Sequence, residues 1–67
     1  MTTELVTVDP PKHPLAALAT FELKQYRREL ERAIALLDGA DPVRRGLQAR
    51  LDDVLTEQDE RSRLAHA

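Results

Sequence analysis

The sequence contains no cysteine and no tryptophan, and its only aromatic residues are one phenylalanine and one tyrosine. Without cysteine the chain forms no disulfide and no thiolate metal site, which suits a reducing compartment. With so few aromatic residues, any core must be built from aliphatic side chains. A chain of 67 residues buries only about 60% of the surface that its unfolded form exposes, so it needs tight packing or a partner.

The sequence also lacks a strong net charge and a long apolar run. Ten basic and twelve acidic residues leave a net charge of −2, which disfavours a protein whose main role is to neutralise nucleic-acid phosphates. No apolar run approaches the length of about 18 residues that a membrane span requires. The N-terminal stretch MTTELVTVDPP has neither the basic nor the apolar region of a signal peptide. We therefore expect a cytoplasmic protein with no membrane partner.

Residue patterns typical of catalysis are missing as well. Ser62 is the only serine, and the two histidines, His13 and His66, stand apart from it in a proline-rich stretch and at the C-terminus. No HExxH motif and no glycine-rich phosphate loop occurs. Carboxylates cluster in one stretch, which we interpret as a solvated acidic face: Asp52, Asp53, Glu57, Asp59 and Glu60. The sequence therefore predicts neither an enzyme nor a cofactor or metal site.

The periodicity of the apolar residues predicts a first helix over residues 20–38. Leu23, Leu30 and Leu37 are seven residues apart, and Tyr26 and Ala33 lie between them. This spacing places the five side chains on one stripe of an α-helix, as in a coiled-coil seam. Thr20 is the predicted N-cap, because its hydroxyl can accept a hydrogen bond from a free amide of the first turn.

The stretch LLDGADPVRRG, residues 36–46, predicts where the first helix ends and a second one begins. Gly39 can adopt the left-handed backbone conformation that terminates helices. Asp41 is a favourable N-cap, and Pro42 falls at the first helical position, where its missing amide costs nothing. The second helix is predicted over residues 41–63, with the following apolar stripe: Val43, Leu47, Leu51, Val54, Leu55, Gln58 and Leu64.

The N-terminal segment is expected to differ from the rest of the chain. Pro10, Pro11 and Pro14 lack amide donors and favour extended conformations in the residues before them. Residues 1–14 are therefore predicted to be an extended or disordered arm, and residues 15–19 (LAALA) a helical turn. Residues 15–67 form the predicted helical unit.

Two helices joined by a short connection must lie antiparallel, so the predicted fold is an all-α hairpin. Its apolar stripes are wider than one neighbouring helix covers, which leaves Leu18, Phe21, Leu36 and Leu55 partly exposed. Pairing of two hairpins into a dimeric four-helix bundle would cover them. The side chains expected to carry this association are Leu23, Tyr26, Leu30, Ile34, Leu37, Leu47, Leu51, Val54 and Leu55.

Most charged residues are expected to pair within the hairpin. A fold about residue 40 places residues whose numbers sum to about 80 at similar heights. The predicted pairs are Arg27 with Asp53, Arg28 with Asp52, Glu57 with Arg61, and Asp59 with Arg63. The last two are four residues apart within one helix and contribute a few tenths of a kcal/mol each.

The sequence favours a small non-enzymatic protein–protein interaction module that forms a homodimer through its apolar seam. The alternative is a regulatory protein that offers the same face to a larger partner, such as a sigma factor, RNA polymerase or a toxin. Arg44 and Arg45 lie in the first turn of the second helix, where positive charge is locally unfavourable. They are predicted either to be compensated by Asp38 and Asp41 or to contact an anion or an acidic partner.

Two further functions, nucleotide and DNA binding, have weaker support. The run QYRRELERAIALL resembles the ligand-binding helix of cyclic-di-GMP-binding anti-sigma factors, with pattern E-x3-S-x2-R-x3-Q-x3-D, and retains its arginine as Arg28. The second helix repeats the R-x3-Q-x3-D half as Arg44, Gln48 and Asp52. This resemblance, which covers under a third of the chain, implies nucleotide binding. Ribbon–helix–helix DNA binding is disfavoured, since the candidate strand LVTV contains no Lys or Arg.

Overall fold

The computed structural model describes residues 8–65, which form two α-helices preceded by one short 3-10 helix, with no strand among them. The 3-10 helix spans Leu15–Ala17, helix α1 spans Thr20–Ala35 and helix α2 spans Pro42–Ala65. The two α-helices pack against each other, and the 3-10 helix packs against α2. The predicted all-helical hairpin is thereby confirmed.

Helix α1 begins with a different cap from the one predicted. Ala19, with extended backbone, is the N-cap residue, and Thr20 is the first helical residue. The Glu22 side chain accepts a hydrogen bond from the Ala19 amide at 2.9 Å. This contact is one half of a capping box, and it also places a carboxylate at the positive end of the helix. The prediction that Thr20 caps α1 is therefore wrong, because a carboxylate three residues beyond Ala19 stabilises the earlier start.

Helix α1 ends at Ala35, three residues before the predicted boundary. The Leu36 amide bonds to the Ala33 carbonyl and the Leu37 amide to the Ile34 carbonyl, both at 3.2 Å. This tightening of the last turn satisfies carbonyls that would otherwise lack partners. No described glycine has a positive φ, so the prediction that Gly39 stops the helix in a left-handed conformation is wrong.

The predicted start of α2 is confirmed. Asp41 Oδ1 accepts a hydrogen bond from the Val43 amide at 2.9 Å, and Pro42 is the first helical residue. An aspartate N-cap satisfies a free amide, and proline at the next position loses no hydrogen bond. From this start α2 continues to Ala65, two residues beyond the predicted end.

One aliphatic core lies between the two helices and continues under the N-terminal arm. Leu23, Leu30 and Val54 are the most deeply buried large side chains, each less than 2% exposed. The remaining buried side chains are Val8, Leu18, Tyr26, Ala33, Ile34, Leu47 and Leu51. Leu18, which the sequence left partly exposed, is thus covered within the chain.

Other apolar residues stay outside this core. Val43 and Leu64 were predicted to belong to the apolar stripe of α2, yet they are 52% and 77% exposed. The exposure of these two side chains follows from the different lengths of the two helices. The 24 residues of α2 extend about 36 Å, whereas the 16 residues of α1 extend about 24 Å, so both ends of α2 project past its neighbour. As predicted, Phe21, Leu36 and Leu55 are exposed.

Gly46 provides a test of the helical assignment of α2. It lies in the second turn, and an added Cβ would meet no atom within 4 Å. Gly46→Ala should therefore raise the free energy of unfolding by about 0.5–1 kcal/mol, because alanine has the higher helix propensity. Urea denaturation followed by circular dichroism measures this change. Ala49→Gly, at an exposed position one turn later, should lower it by a similar amount, and equal stability of the two variants would contradict the assignment.

Candidate interaction surfaces

The nine predicted interface residues are distributed unequally in the structure. Seven of them belong to the core of a single chain and are at most 8% exposed: Leu23, Tyr26, Leu30, Ile34, Leu47, Leu51 and Val54. Leu37 is partly buried against that core, and Leu55 is 38% exposed. Of the nine, Leu37 and Leu55 are therefore the ones that reach the hairpin surface to any extent.

Arg50 links the N-terminal arm to both helices. Its Nε donates to the Tyr26 hydroxyl at 2.8 Å, and its Nη2 donates to the Val8 carbonyl at 2.9 Å. The guanidinium carbon lies 5.5 Å from the centre of the Tyr26 ring, within cation–π range. One side chain of α2 thereby binds α1 through Tyr26 and the arm through its backbone.

Arg61 performs a similar role about one helical turn before the end of α2. Its Nη2 donates to the carbonyls of Leu15 and Leu18 at 3.0 and 2.8 Å. Its Nε donates to Glu57 Oε2 at 2.8 Å, which orients the guanidinium. Hydrogen bonds from a charged donor are about twice as strong as neutral ones, so Arg61 holds the 3-10 helix against α2.

Sequence reasoning missed both arginines as arm contacts, although a signal was present. Counting from Leu47, steps of three and four reach Arg50, Val54, Glu57 and Arg61. The arginines therefore border the apolar stripe and do not lie on the outward side of the helix. Arginine beside an apolar stripe indicates a guanidinium that crosses the core edge to a carbonyl or hydroxyl.

The flank of the hairpin opposite the arm carries no covering segment among the described residues. Leu55 follows Arg50 by five residues, which rotates it by about 140° away from the arm. Near it, Arg27 of α1 donates to Gln58 of α2 at 2.9 Å and forms an ion pair with Glu31 at 3.6 Å. We call this flank, defined by Arg27, Glu31, Leu55 and Gln58, the uncovered face.

The predicted charge pairs within α2 are confirmed, whereas those between helices are not formed. Glu57–Arg61 and Asp59–Arg63 are ion pairs at 2.8 and 2.6 Å. Asp59 raises the pKa of Arg63, mainly by accepting its hydrogen bonds and to a smaller extent by its negative charge. Arg27 contacts Gln58 and Glu31 and not Asp53. Asp53 precedes Gln58 by five residues and is therefore rotated about 140° away from the uncovered face.

Among the described residues, Arg28 forms no ion pair either, so the predicted contact with Asp52 is not made. Asp52 instead accepts a hydrogen bond from Gln48 on the same helix at 3.1 Å. The outward orientation of Arg28 and Asp52, both exposed, explains why they do not meet across the seam.

The hairpin tip brings Arg44 and Arg45 together in a shallow depression. Its lining also includes Gly39, Gln48 and Asp52. Arg45 is exposed and Arg44 is partly buried, and neither forms an ion pair with any other described residue. Asp38 and Asp41 therefore form no ion pair with either arginine. Contact of this tip with an anion or an acidic partner stays a prediction.

Residues 8–65 include no group of three His, Asp or Glu side chains arranged to hold a metal ion. In the same part of the chain, neither helix is long and apolar enough to cross a membrane. No protein-family model, curated protein or solved structure matches this chain.

Proposed function

We propose that this chain is a small non-enzymatic protein–protein interaction module, and that two copies pair through the uncovered face into a four-helix bundle. The observation that carries the proposal is the amount of surface that one chain leaves exposed. The chain has 5520 Å² of accessible surface, whereas a compact monomer of 7.6 kDa averages about 4300 Å². The excess of about 1200 Å² per chain, or about 2400 Å² for two copies, is more than the total of about 1600 Å² that a standard interface buries.

The shape of the chain supports the same conclusion. The radius of gyration is 13.5 Å, and the principal extents are 51, 22 and 15 Å. A compact domain of 67 residues has a radius of gyration of about 11 Å. The hairpin is therefore a thin slab with one helix–helix seam. Stacking a second slab on the uncovered face provides a second layer, which is the usual way in which helical hairpins complete a core.

The residues of the uncovered face suit a two-fold contact. Leu55, at 38% exposure, supplies apolar surface. Arg27 and Glu31 lie on the same face as an exposed ion pair. In a two-fold interface the same patch occurs on both sides, so a patch that carries both signs of charge can pair with itself. A second copy is also available as a partner wherever the chain itself is present.

The alternative proposal is that a larger protein, such as a sigma factor, RNA polymerase or a toxin, occupies the uncovered face. The observation in its favour is the tip, where Arg44 and Arg45 lie without ion-pair partners among the described residues. Positive charge at the start of a helix is locally unfavourable by about 0.3–1 kcal/mol. An acidic partner would offset that cost.

The test is the substitution Leu55→Glu, with the mass in solution measured by light scattering behind a sizing column. Burying a carboxylate in the apolar interface is strongly unfavourable, so the variant should be monomeric at concentrations where the parent is dimeric. Leu36→Glu is the matched control, because Leu36 is 70% exposed and lies outside the uncovered face. The control should remain dimeric.

Circular dichroism of the same fractions completes this test. A Leu55→Glu variant that stays dimeric would contradict the proposed face. A parent chain that is helical yet monomeric at every concentration would contradict self-pairing and favour the larger partner. Runs at about 1 M salt, where the Debye length is about 3 Å, isolate apolar pairing from contacts between charged surfaces.

A further inference from the structure

The outward side of α1 carries a row of unpaired cations. Lys24, Arg28 and Arg32 follow one another at four-residue spacing, and all three are exposed. None of them forms an ion pair with another described residue. Like charges at this spacing destabilise a helix by a few tenths of a kcal/mol per pair, so the stability of α1 does not explain the row. We call these three residues the basic stripe, and the 70% exposed Phe21 lies at its N-terminal end.

Helix α2 carries a row of opposite charge. Asp53, Glu57 and Glu60 are separated by four and three residues, which places them on one side of the helix. The whole segment 52–60 contains no basic residue. Asp53 and Glu60 are exposed and form no ion pair with the described residues, whereas Glu57 pairs with Arg61. We call Asp53, Glu57 and Glu60 the acidic stripe, and the 77% exposed Leu64 lies at its C-terminal end.

The two stripes match each other in length and order when the helices run antiparallel. Lys24 and Arg32 are eight residues apart, or about 12 Å, and Asp53 and Glu60 are seven apart, or about 10.5 Å. Members of the two stripes whose numbers sum to 84 or 85 then face each other, as do the apolar residues at the ends of the stripes, and each of these pairs is complementary. The pairs are Phe21 with Leu64, Lys24 with Glu60, Arg28 with Glu57, and Arg32 with Asp53.

Within one chain the stripes are kept apart. Arg28 is rotated by about 140° from the buried Leu23, and Glu60 is rotated by about 120° from the buried Val54. The basic stripe therefore points away from the seam along the outer edge of α1. Asp53 and Glu60 point away from it along the outer edge of α2, whereas the partly buried Glu57 borders the seam beside Arg61. The complementary charges can meet only between two copies.

We propose that the basic stripe of one copy binds the acidic stripe of a second copy, with the two helices side by side and antiparallel. This contact uses a surface other than the uncovered face, so it goes beyond the proposed dimer. The contact joins two different patches, so a bound pair still has one free acidic stripe on one copy and one free basic stripe on the other. Association through the stripes therefore continues beyond two copies, whereas association through the uncovered face stops at two.

Two charge reversals test this pairing. Lys24→Glu with Arg32→Glu makes both stripes acidic, and Asp53→Lys with Glu60→Lys makes both stripes basic. All four positions are exposed, so circular dichroism should show the helicity of the parent. In sedimentation equilibrium at about 10 mM salt, where screening is weak, each variant alone should lose species larger than the dimer, with an association constant lowered about tenfold.

An equimolar mixture of the two variants provides the decisive measurement. Mixing places a reversed α1 opposite a reversed α2 and a parental α1 opposite a parental α2, so the larger species should return. They should disappear again at about 1 M salt, where the Debye length falls to about 3 Å. The control Lys12→Glu lowers the net charge by two at an exposed position off both stripes and should associate as the parent does.

Three results would overturn the proposal: a parent that forms no species larger than a dimer at low salt, reversed variants that associate like the parent, and a mixture that fails to recover. These outcomes are separate from those of the Leu55→Glu test. That variant removes the salt-resistant dimer and leaves the salt-sensitive association in place. The charge reversals should do the opposite.

Discussion

Replacing Leu30 by alanine is expected to leave the chain largely unfolded at 25 °C. Leu30 has no exposed surface and lies in the second half of α1, in the core between the helices. Truncation of a buried leucine to alanine costs about 2–5 kcal/mol, because apolar burial is lost and a cavity remains. A single core in a chain of this size rarely supplies more than about 3–5 kcal/mol, so the loss consumes most of the stability.

Urea denaturation monitored by circular dichroism at one fixed protein concentration measures this effect, since self-association makes stability concentration-dependent. Leu36→Ala is the matched control. It makes the same chemical change just beyond the end of α1, where the side chain is 70% exposed. The control should change the free energy of unfolding by less than about 0.5 kcal/mol. Similar losses in both variants would contradict the hairpin core.

Replacing Arg61 by methionine is expected to release the 3-10 helix and the arm from α2. Methionine retains most of the side-chain length and removes the donors that bind the carbonyls of Leu15 and Leu18 and the carboxylate of Glu57. Hydrogen bonds that involve a charged group contribute about 1.5–3 kcal/mol. We expect a loss of about 2 kcal/mol in the free energy of unfolding, since part of that contribution is regained from water.

Trypsin provides a local measurement of the same release. Lys12 is exposed and lies between the buried Val8 and the 3-10 helix. Cleavage after Lys12 requires the arm to leave the surface of the hairpin, so it should accelerate about tenfold or more in the Arg61→Met variant, as about 1.4 kcal/mol of lost arm stability implies. Arg61→Lys should fall between the parent and the methionine variant, since an ammonium group lacks the planar fork that spans two carbonyls.

Arg63→Met is the control for both measurements. Arg63 is exposed, and its one ion-pair partner among residues 8–65 is Asp59 on the same helix. Exposed pairs four residues apart contribute about 0.3–0.5 kcal/mol, so neither the unfolding free energy nor the cleavage rate after Lys12 should change much. Equal cleavage rates in the two methionine variants would show that Arg61 does not hold the arm.

The contrast between Arg61 and Arg63 shows which side-chain contacts of this protein the sequence predicts and which it does not. Both arginines were expected to pair with a carboxylate four residues earlier, and both do. A spacing of four residues on a helix is a local relation that the sequence alone reveals. The additional contacts of Arg61 with Leu15 and Leu18 depend on the path of a segment more than forty residues away, and no local pattern encodes that path.

The helix boundaries also separate into those that the sequence predicts and those that it does not. The start of α2 was predicted correctly, because an Asp-Pro pair acts on its own backbone and on nothing distant. The first residue of α1 was predicted correctly, whereas its N-cap and its end were predicted wrongly. At the start, Ala19 is the N-cap, and its amide donates to the Glu22 carboxylate. At the end, the backbone turns through tightened hydrogen bonds and not through a left-handed Gly39.

By itself the sequence determined that the chain is an all-helical hairpin with an aliphatic seam, because apolar periodicity and proline placement are local properties. The tertiary structure alone decided that Leu18 is covered within the chain and which flank the arm covers. Arg50 and Arg61 bind the arm on one side, and this leaves Leu55 on the other. Periodicity reports which side of a helix is apolar, whereas the neighbour that covers it is chosen by packing between distant segments.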